Sequence, residues 1–214
     1  MRGPTLSKVR DTLHAVAAHG LGASGGHPPA TDPRQAETSN PPKNHVLTFF
    51  KKLKGDGASL PPQPSNKSVA LAWLGGFLAI ASVAVLTDYL SVALVLGSFG
   101  ASCVLVFGYP DVPFSQPRNV IAGHFITSLV GLVFLTVFGP HWWSVALSVG
   151  TAIALMMLTR TVHPPAGSNP VIVFLSQPTW SFLLFPTLLG AVVLVAVALI
   201  YNNATRDAKY PKYW

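Results

Sequence analysis

The sequence predicts an all-α, polytopic transmembrane helix bundle of five to six spans, with a broken helix at the tripeptide His163-Pro164-Pro165 and an inverted repeat of three spans. Three observations predict it. Of 214 residues, 50% are hydrophobic and only 10% are charged, where an ordinary soluble domain carries about a quarter charged residues. Charge is also segregated, since residues 69–201 contain only Asp88, Asp111, Arg118 and Arg160 among the Asp, Glu, Lys and Arg side chains. Apolar stretches at residues 69–87, 90–108, 120–138, 143–159 and 182–201 each approach the roughly 20 residues that a helix needs to cross a bilayer.

The chain divides into a basic tail (residues 1–67), a membrane body (68–204) and a short C-terminal tail (205–214). The first tail mixes Gly, Pro, Ser, Asn, Thr and Lys with too few large apolar side chains to offset chain entropy, so disorder is expected there. Residues 6–18 are mildly amphipathic, and residues 46–53 with Lys51, Lys52 and Lys54 resemble a juxtamembrane segment drawn to anionic lipid. Asp11, Asp32 and Glu37 argue against a transit peptide. The formal net charge of +7 flanks apolar spans instead of forming a stripe on a folded domain, which excludes nucleic acid as the partner. Cys103 stands alone in an apolar run and is read as a buried, inert thiol.

Lys and Arg collect on the cytoplasmic side. With the basic tail inside, the Asp88 turn falls outside, Arg118 inside, residues 139–142 outside and Arg160 inside. Residues 162–176 are too short and proline-rich for an ordinary span; counted as a sixth, broken crossing, they return Arg206, Lys209 and Lys212 to the cytoplasm with the N-terminus. Internal similarity favours six. GASCVLVF at 100–107 and GSNPVIVF at 167–174 share the initial Gly and the final Val-x-Val-Phe, each is followed shortly by Ser-Gln-Pro, and SLVG at 128–131 recurs as TLLG at 187–190. Two units with an odd number of spans lie upside down relative to each other.

Non-helical backbone at membrane depth must be buried in protein or line a watery cavity, so the break at 163–170 is expected to face inward. Pro164 and Pro165 end the preceding helix near Thr161. Gly167 permits a turn, and Ser168 or Asn169 is positioned to cap a half-helix that starts at Pro170 and ends near Ser176. Gly97, Ser98, Gly100 and Ser102 form a second weak point, with Ser98 or Ser102 as cap. Helix starts present free amides and attract anions. The candidate substrate-binding set is therefore His163, Pro164, Pro165, Gly167, Ser168, Asn169, Ser98, Gly100 and Ser102.

The spans contain no Asp or Glu, which fits an anion or neutral solute better than a cation. Arg160 and His124 are candidates for an electrostatic or coupling role. Arg160 alternatively extends to the interface, His124 alternatively fills the core, and His163 either caps carbonyls or carries a coupling proton. Asn119 is expected to cap the third span. Trp142, Trp143, Trp180 and Tyr201 read as an interfacial belt, and Gly75, Gly76, Gly123, Gly131, Gly150 and Gly190 as close helix contacts. His124, His141 and His163 lack metal-ligand spacing, so neither a metal, a cofactor nor a catalytic function is expected.

The run LTRTVHPPAGSNPVIVF at 158–174, with GASCVLVF, FSQPRNVIAGH at 114–124 and the ending YNNATRDAKYPKYW, resembles the HPP family of small integral membrane proteins over residues 47–214. The tripeptide alone is uninformative, since GGHPPA also occurs at 25–30 in the tail. The resemblance implies a membrane protein with about four spans, fewer than counted above, and the nitrite transport reported for plastid and cyanobacterial relatives. Bacterial relatives often carry additional nucleotide-binding domains, for which this chain has no room. The reading that results is a transporter of a small inorganic anion, nitrite first, in a bacterial inner membrane with both termini cytoplasmic. A passive anion channel, or a membrane scaffold or sensor, is the alternative. Its partners are the bilayer, the anion and a second copy in a homodimer.

Overall fold

The computed structural model describes residues 45–53, 57–91 and 93–214, which fall into two units. The first unit ends at Leu60 and contributes one described helix, α1 (His45–Leu53), with Phe49, Phe50 and Leu53 exposed and Lys51 and Lys52 in its last turn. The amphipathic stretch expected at 6–18 lies outside the described residues.

The second unit, Pro61–Trp214, is built from helices; among the described residues it has no strand. In order come α2 (Asn66–Leu90), then α3 (Gly97–Cys103) continued by a π turn (Val104–Gly108). A 3-10 turn (Pro113–Ser115), α4 (Pro117–Phe138) and α5 (Trp142–Leu158) follow. Another 3-10 turn (Pro164–Ser168) runs directly into α6 (Asn169–Ser176), and turns at Trp180–Leu183 and Leu184–Leu188 lead into α7 (Leu189–Thr205). The stretches Asn66–Leu90, Pro117–Phe138 and Trp180–Thr205 are long and apolar enough to cross a membrane, while Gly97–Gly108 and Trp142–Leu158 are shorter.

Local chemistry sets these boundaries. Ser65 caps α2, its hydroxyl accepting from the Ser68 amide at 3.1 Å. Pro117 opens α4, where its missing N–H costs nothing. α5 ends in a Schellman arrangement: Arg160 takes φ +56°, its amide bonds to Met157 O, and the Thr161 amide reaches back to Met156 O at 2.9 Å. Arg160 thus turns the chain from the exposed helix end.

Three expectations about caps need correction. The cap before α4 is Gln116, not Asn119, because Asn119 already lies inside the helix. Neither Ser98 nor Ser102 caps α3, whose N-cap is Leu96 without a side-chain bond. The half-helix after the break is Asn169–Ser176, led in by a 3-10 turn from Pro164; Ser168 stands at its N-cap position but makes no side-chain capping bond, and Asn169 lies inside the helix.

α7 lies along α2 and touches the π turn after α3, and α4 lies along α5 and α6. Tyr201 Oη donates to Leu71 O at 2.8 Å and Asn202 Nδ2 to Val106 O at 3.1 Å, while Gly190, at the other end of α7, abuts Phe99 and Leu94 O. Arg118 donates to Thr159 O at 3.1 Å, and Asn119 Nδ2 to Val162 O at 2.9 Å. The starts of α2 and α4 and the ends of α5 and α7 therefore share one end of the bundle with the loop 109–116. The C-terminal residues return to this end. Tyr210 Oη donates to Ser115 O at 2.7 Å, the Lys212 amide to Gln116 Oε1 at 2.7 Å, and Arg206 and Lys212 both pair with Asp111.

Close approach explains four of the six glycines singled out. A Cβ on Gly190 would lie 2.4 Å from the Phe99 ring and 2.9 Å from Leu94 O; one on Gly75 would meet Phe107, one on Gly123 His163 Cβ, and one on Gly131 Pro170 Cα. Gly76 has only ordinary contact and Gly150 faces open space, so neither is needed for packing. Tyr201 is not a belt residue, because its ring packs against Phe107 and its hydroxyl is bonded inside the unit. Trp142 and Trp180 are exposed, as a belt requires.

Gly190→Ala is expected to destabilise the protein by about 1–3 kcal/mol through overpacking, and Gly150→Ala to stabilise it by roughly 0.5–1 kcal/mol through helix propensity. Thermal unfolding in detergent reads both signs. A second expectation concerns Asp111. Desolvation works to raise its carboxyl, but hydrogen bonds from Lys212 and Arg206 and their charges outweigh it and hold the group below the usual carboxylate range. The clamp is thus at full strength above about pH 4 and weakens as pH falls through the lowered folded value. Asp111→Asn should expose residues 206–214 to protease at neutral pH with little change in overall melting, because the pair is half-exposed.

Candidate functional site: a buried polar cluster between two chain breaks

Both interrupted segments turn polar side chains into the same place. α3 touches the 3-10 turn Pro164–Ser168, and α4 runs past both. Ser102, His124, Thr127, Ser128, His163, Asn169 and Thr187 are all fully buried there. In hydrocarbon such groups need internal partners, and most have them. Ser102 Oγ lies 2.9 Å from His124 Nε2 and 2.8 Å from His163 Nε2. His163 Nδ1 lies 2.6 Å from Phe114 O, and Asn169 Nδ2 lies 3.0 Å from His124 Nδ1. Asn169 Nδ2 and Thr187 Oγ1 both donate to Ser128 Oγ, at 2.9 and 3.1 Å.

The bond directions follow from one fixed point, the Phe114 carbonyl, which can only accept. His163 therefore donates from Nδ1, and its neutral ring accepts at Nε2 from the Ser102 hydroxyl. Ser102 has no second hydrogen, so its oxygen accepts from His124 Nε2–H. His124 Nδ1 then accepts from the Asn169 amide. The whole row is satisfied in one sense, from Asn169 to Phe114, with both rings neutral.

Two polar atoms in this region are buried without a partner: Asn169 Oδ1 and Ser98 Oγ. Ser98 stands one turn before Ser102 on α3, and Ser128 one turn after His124 on the oppositely directed α4. Both steps lead away from the tail end, which places Ser98 at the level of Ser128.

Of the residues the sequence nominated, the structure brings together Ser102, His124, His163 and Asn169. Pro164 and Ser168 are exposed, and Ser168 Oγ bonds only to Pro165 O. Pro165 and Gly167 are half-buried at the rim. Gly100 faces away, into an apolar groove of ≈ 770 Å³ between α2 and α3 that Trp73, Phe77 and Cys103 also line. Arg160 is exposed at the end of the bundle. The first turn after the break also offers fewer amides than its position suggested. Pro164 and Pro165 have none, and the Ala166 amide is bonded to His163 O.

Sequence reasoning missed Ser128, Thr187 and the Phe114 carbonyl. The first two were within reach, since they open the matching SLVG and TLLG segments. No sequence signal marks a carbonyl 49 positions from its histidine. Among the described residues no group of three His, Cys, Asp or Glu could hold a metal ion. His141 stacks on Trp143, and its side chain is exposed, away from the other two histidines. Ser128→Ala should cost about 1–3 kcal/mol, because it leaves the Thr187 hydroxyl without its acceptor, while the Asn169 amide keeps His124 Nδ1 and His124 O; thermal unfolding in detergent measures it.

The transmembrane region of the HPP family matches residues 61–211. A transmembrane protein of Dictyostelium discoideum is 36% identical over 186 residues, covering 80% of this chain and 65% of that protein. A second from the same organism is 33% identical over 184 residues, covering 80% and 59%. The chain thus spans less than two thirds of the length of these relatives. No solved structure matches it. The match over the bundle that carries both breaks and the buried cluster makes this chain a member of the HPP transmembrane family, an integral membrane protein.

Proposed function

We propose that this protein moves a small inorganic anion across the bilayer by alternating exposure of the buried cluster, and nitrite is the first anion to test. One observation carries the reading: two interrupted helices meet at a cluster of seven fully buried polar side chains, two of them histidines. A bundle built only for stability gains little from such a centre, and ionisable groups at membrane depth mark solute or proton paths by default. None of the seven side chains lines the apolar groove between α2 and α3. The exposed Arg118 and Arg160 lie at the tail end and suit an anion.

The same proposal gives the fold six crossings. Residues 93–96 extended and 97–108 helical span about 31 Å, and residues 161–163, the 3-10 turn and α6 span about 32 Å, close to the ~30 Å of a hydrocarbon core. Neither short helix would cross alone. Counted this way, three crossings run up to Phe138 and three more run down to Thr205, and the C-terminal tail rejoins the start of α2. In the orientation proposed, that end faces the cytoplasm of a bacterial inner membrane.

Contacts between the two repeat halves support the inverted repeat. Gly131 of the first half seats Pro170 and Val173 of the second half's short helix, and Gly190, its counterpart, seats Phe99 of the first half's short helix. Ser128 and Thr187, equivalent in the repeat, bond to each other at 3.1 Å. Ser102 and Asn169, also equivalent, both bond to His124.

Reconstituted in liposomes, the protein should take up nitrite down its gradient. Asn169→Leu should lower the rate by about tenfold or more, as loss of a positioned polar group does. Gln177→Gly, at an exposed αL helix end, should keep most of it. Equal losses in the two variants would count against a localised site.

A further inference from the structure

We propose that Ser102, His124 and His163 form a site for one proton, and that this proton crosses together with the anion, one for one. The inference rests on the transport reading above and adds the ion to which transport is coupled.

Ser102 Oγ has three neighbours for one hydrogen: His163 Nε2 at 2.8 Å, His124 Nε2 at 2.9 Å and Ser98 O at 3.1 Å. In the neutral state the hydroxyl donates to His163 Nε2 and accepts from His124 Nε2–H. When a proton binds at His163 Nε2, the hydroxyl turns to Ser98 O, and its oxygen accepts N–H bonds from both rings. His163 Nδ1–H stays on Phe114 O in both states. No heavy atom needs to move, and every hydrogen bond of the triad is satisfied with zero or one added proton. A serine donating to one fixed acceptor would favour a single state; here the third neighbour accommodates the second.

The row also has two faces. His124 Nδ1 looks away from the tail end toward Asn169, and His163 Nδ1 looks toward the loop 109–116 at the tail end. A proton that binds His124 Nδ1 requires the Asn169 amide to turn its unpartnered Oδ1 toward the new N–H. His124 then passes its Nε2 hydrogen to Ser102 Oγ, and Ser102 passes its own hydrogen to His163 Nε2. One proton has entered, one positive charge has appeared on His163, and His124 is neutral with its hydrogen on Nδ1, so that in this second form of the loaded site its bare Nε2 accepts from the Ser102 hydroxyl. The proton leaves from His163 Nδ1 when its bond to Phe114 O opens.

Stoichiometry follows from the surroundings. α3 presents Ser98, Phe99 and Ser102 to the rings, α4 presents Thr127 and Ser128, α6 presents Asn169, the turn Leu184–Leu188 before α7 presents Thr187, and the loop presents the Phe114 carbonyl. Among the described residues none of these is charged, and the two imidazoles are the titratable groups of the cluster. Arg118 and Arg160 are exposed at the tail end. A monovalent anion at this depth has an imidazolium as its available counter-charge, and an unpaired ion in low dielectric is costly. Second protonation would place two cations with ring centroids 5.1 Å apart, so the pair takes one.

The test uses the full chain in liposomes with nitrite as the probe and protein-free vesicles as the baseline. Nitrite entry should acidify the lumen by one proton per nitrite, and its rate should stay unchanged under an imposed potential of about 100 mV, since no net charge moves. Ser102→Ala should lower proton-coupled uptake by about tenfold or more, and Ser102→Thr should restore it. Protein-dependent nitrite flux that follows the potential without acidification would overturn the proton site and leave transport standing. Histidine nitrogen NMR of the reconstituted protein reads the site without any flux: neutral His163 should carry its hydrogen on Nδ1, and acidification should load one ring of the pair before the other. Two rings titrating independently would overturn the proposal, whereas ordered loading without nitrite flux would overturn the anion and keep the proton site.

Discussion

Peptide groups cannot be left unpaired in hydrocarbon, and the arrangement of this bundle follows from that constraint. The chain unwinds inside its apolar body at residues 93–96 and 161–163, besides the kink at Phe185. Each unwound stretch has to be covered by protein. The fold covers them by directing both inward and closing α4 and α7 around them. Glycine at 123, 131 and 190 lets the surrounding helices come close enough to exclude lipid. Polar side chains then gather where the backbone is irregular, because those are the positions already shielded. The cluster around His124 is a product of the breaks as much as of its own residues.

The sequence displayed the membrane class, the helix positions to within a few residues and the inward-facing break, since hydropathy and proline act locally. It displayed Ser102, His163 and Asn169 for the same reason. The capping bonds expected of Ser98, Ser168 and Asn169 are not made: Asn169 is used in tertiary bonds, Ser98 Oγ is left unpaired, and Ser168 Oγ bonds back to Pro165 O. Proline misled in a related way: Pro170 suits the first position of a helix, but Pro164 suits it equally, and the 3-10 turn starts there. Ser128, Thr187 and the Phe114 carbonyl were illegible individually because their roles come from contacts between distant segments. Similarity between the SLVG and TLLG segments was the available hint, and the two hydroxyls it aligns do meet.

Family membership and geometry bear on different questions. The match over residues 61–211 establishes an integral membrane protein of the HPP family. The relatives from Dictyostelium are longer than this chain, and each aligns with 80% of it. Within the family match lie the two breaks, both histidines and the loop that receives His163. The apolar groove between α2 and α3 is the opposite kind of feature: large, open and lined by residues that lipid can cover, it needs no solute to account for it.

The C-terminal segment has a consequence of its own. Tyr210, Lys212 and Tyr213 tie down residues 113–119, the same stretch whose Phe114 carbonyl receives His163. Loosening the last few residues slackens the wall against which the innermost histidine rests, so a bulky fusion partner attached after Trp214 is mechanically connected to the centre of the protein. An affinity handle placed there would report on an altered molecule.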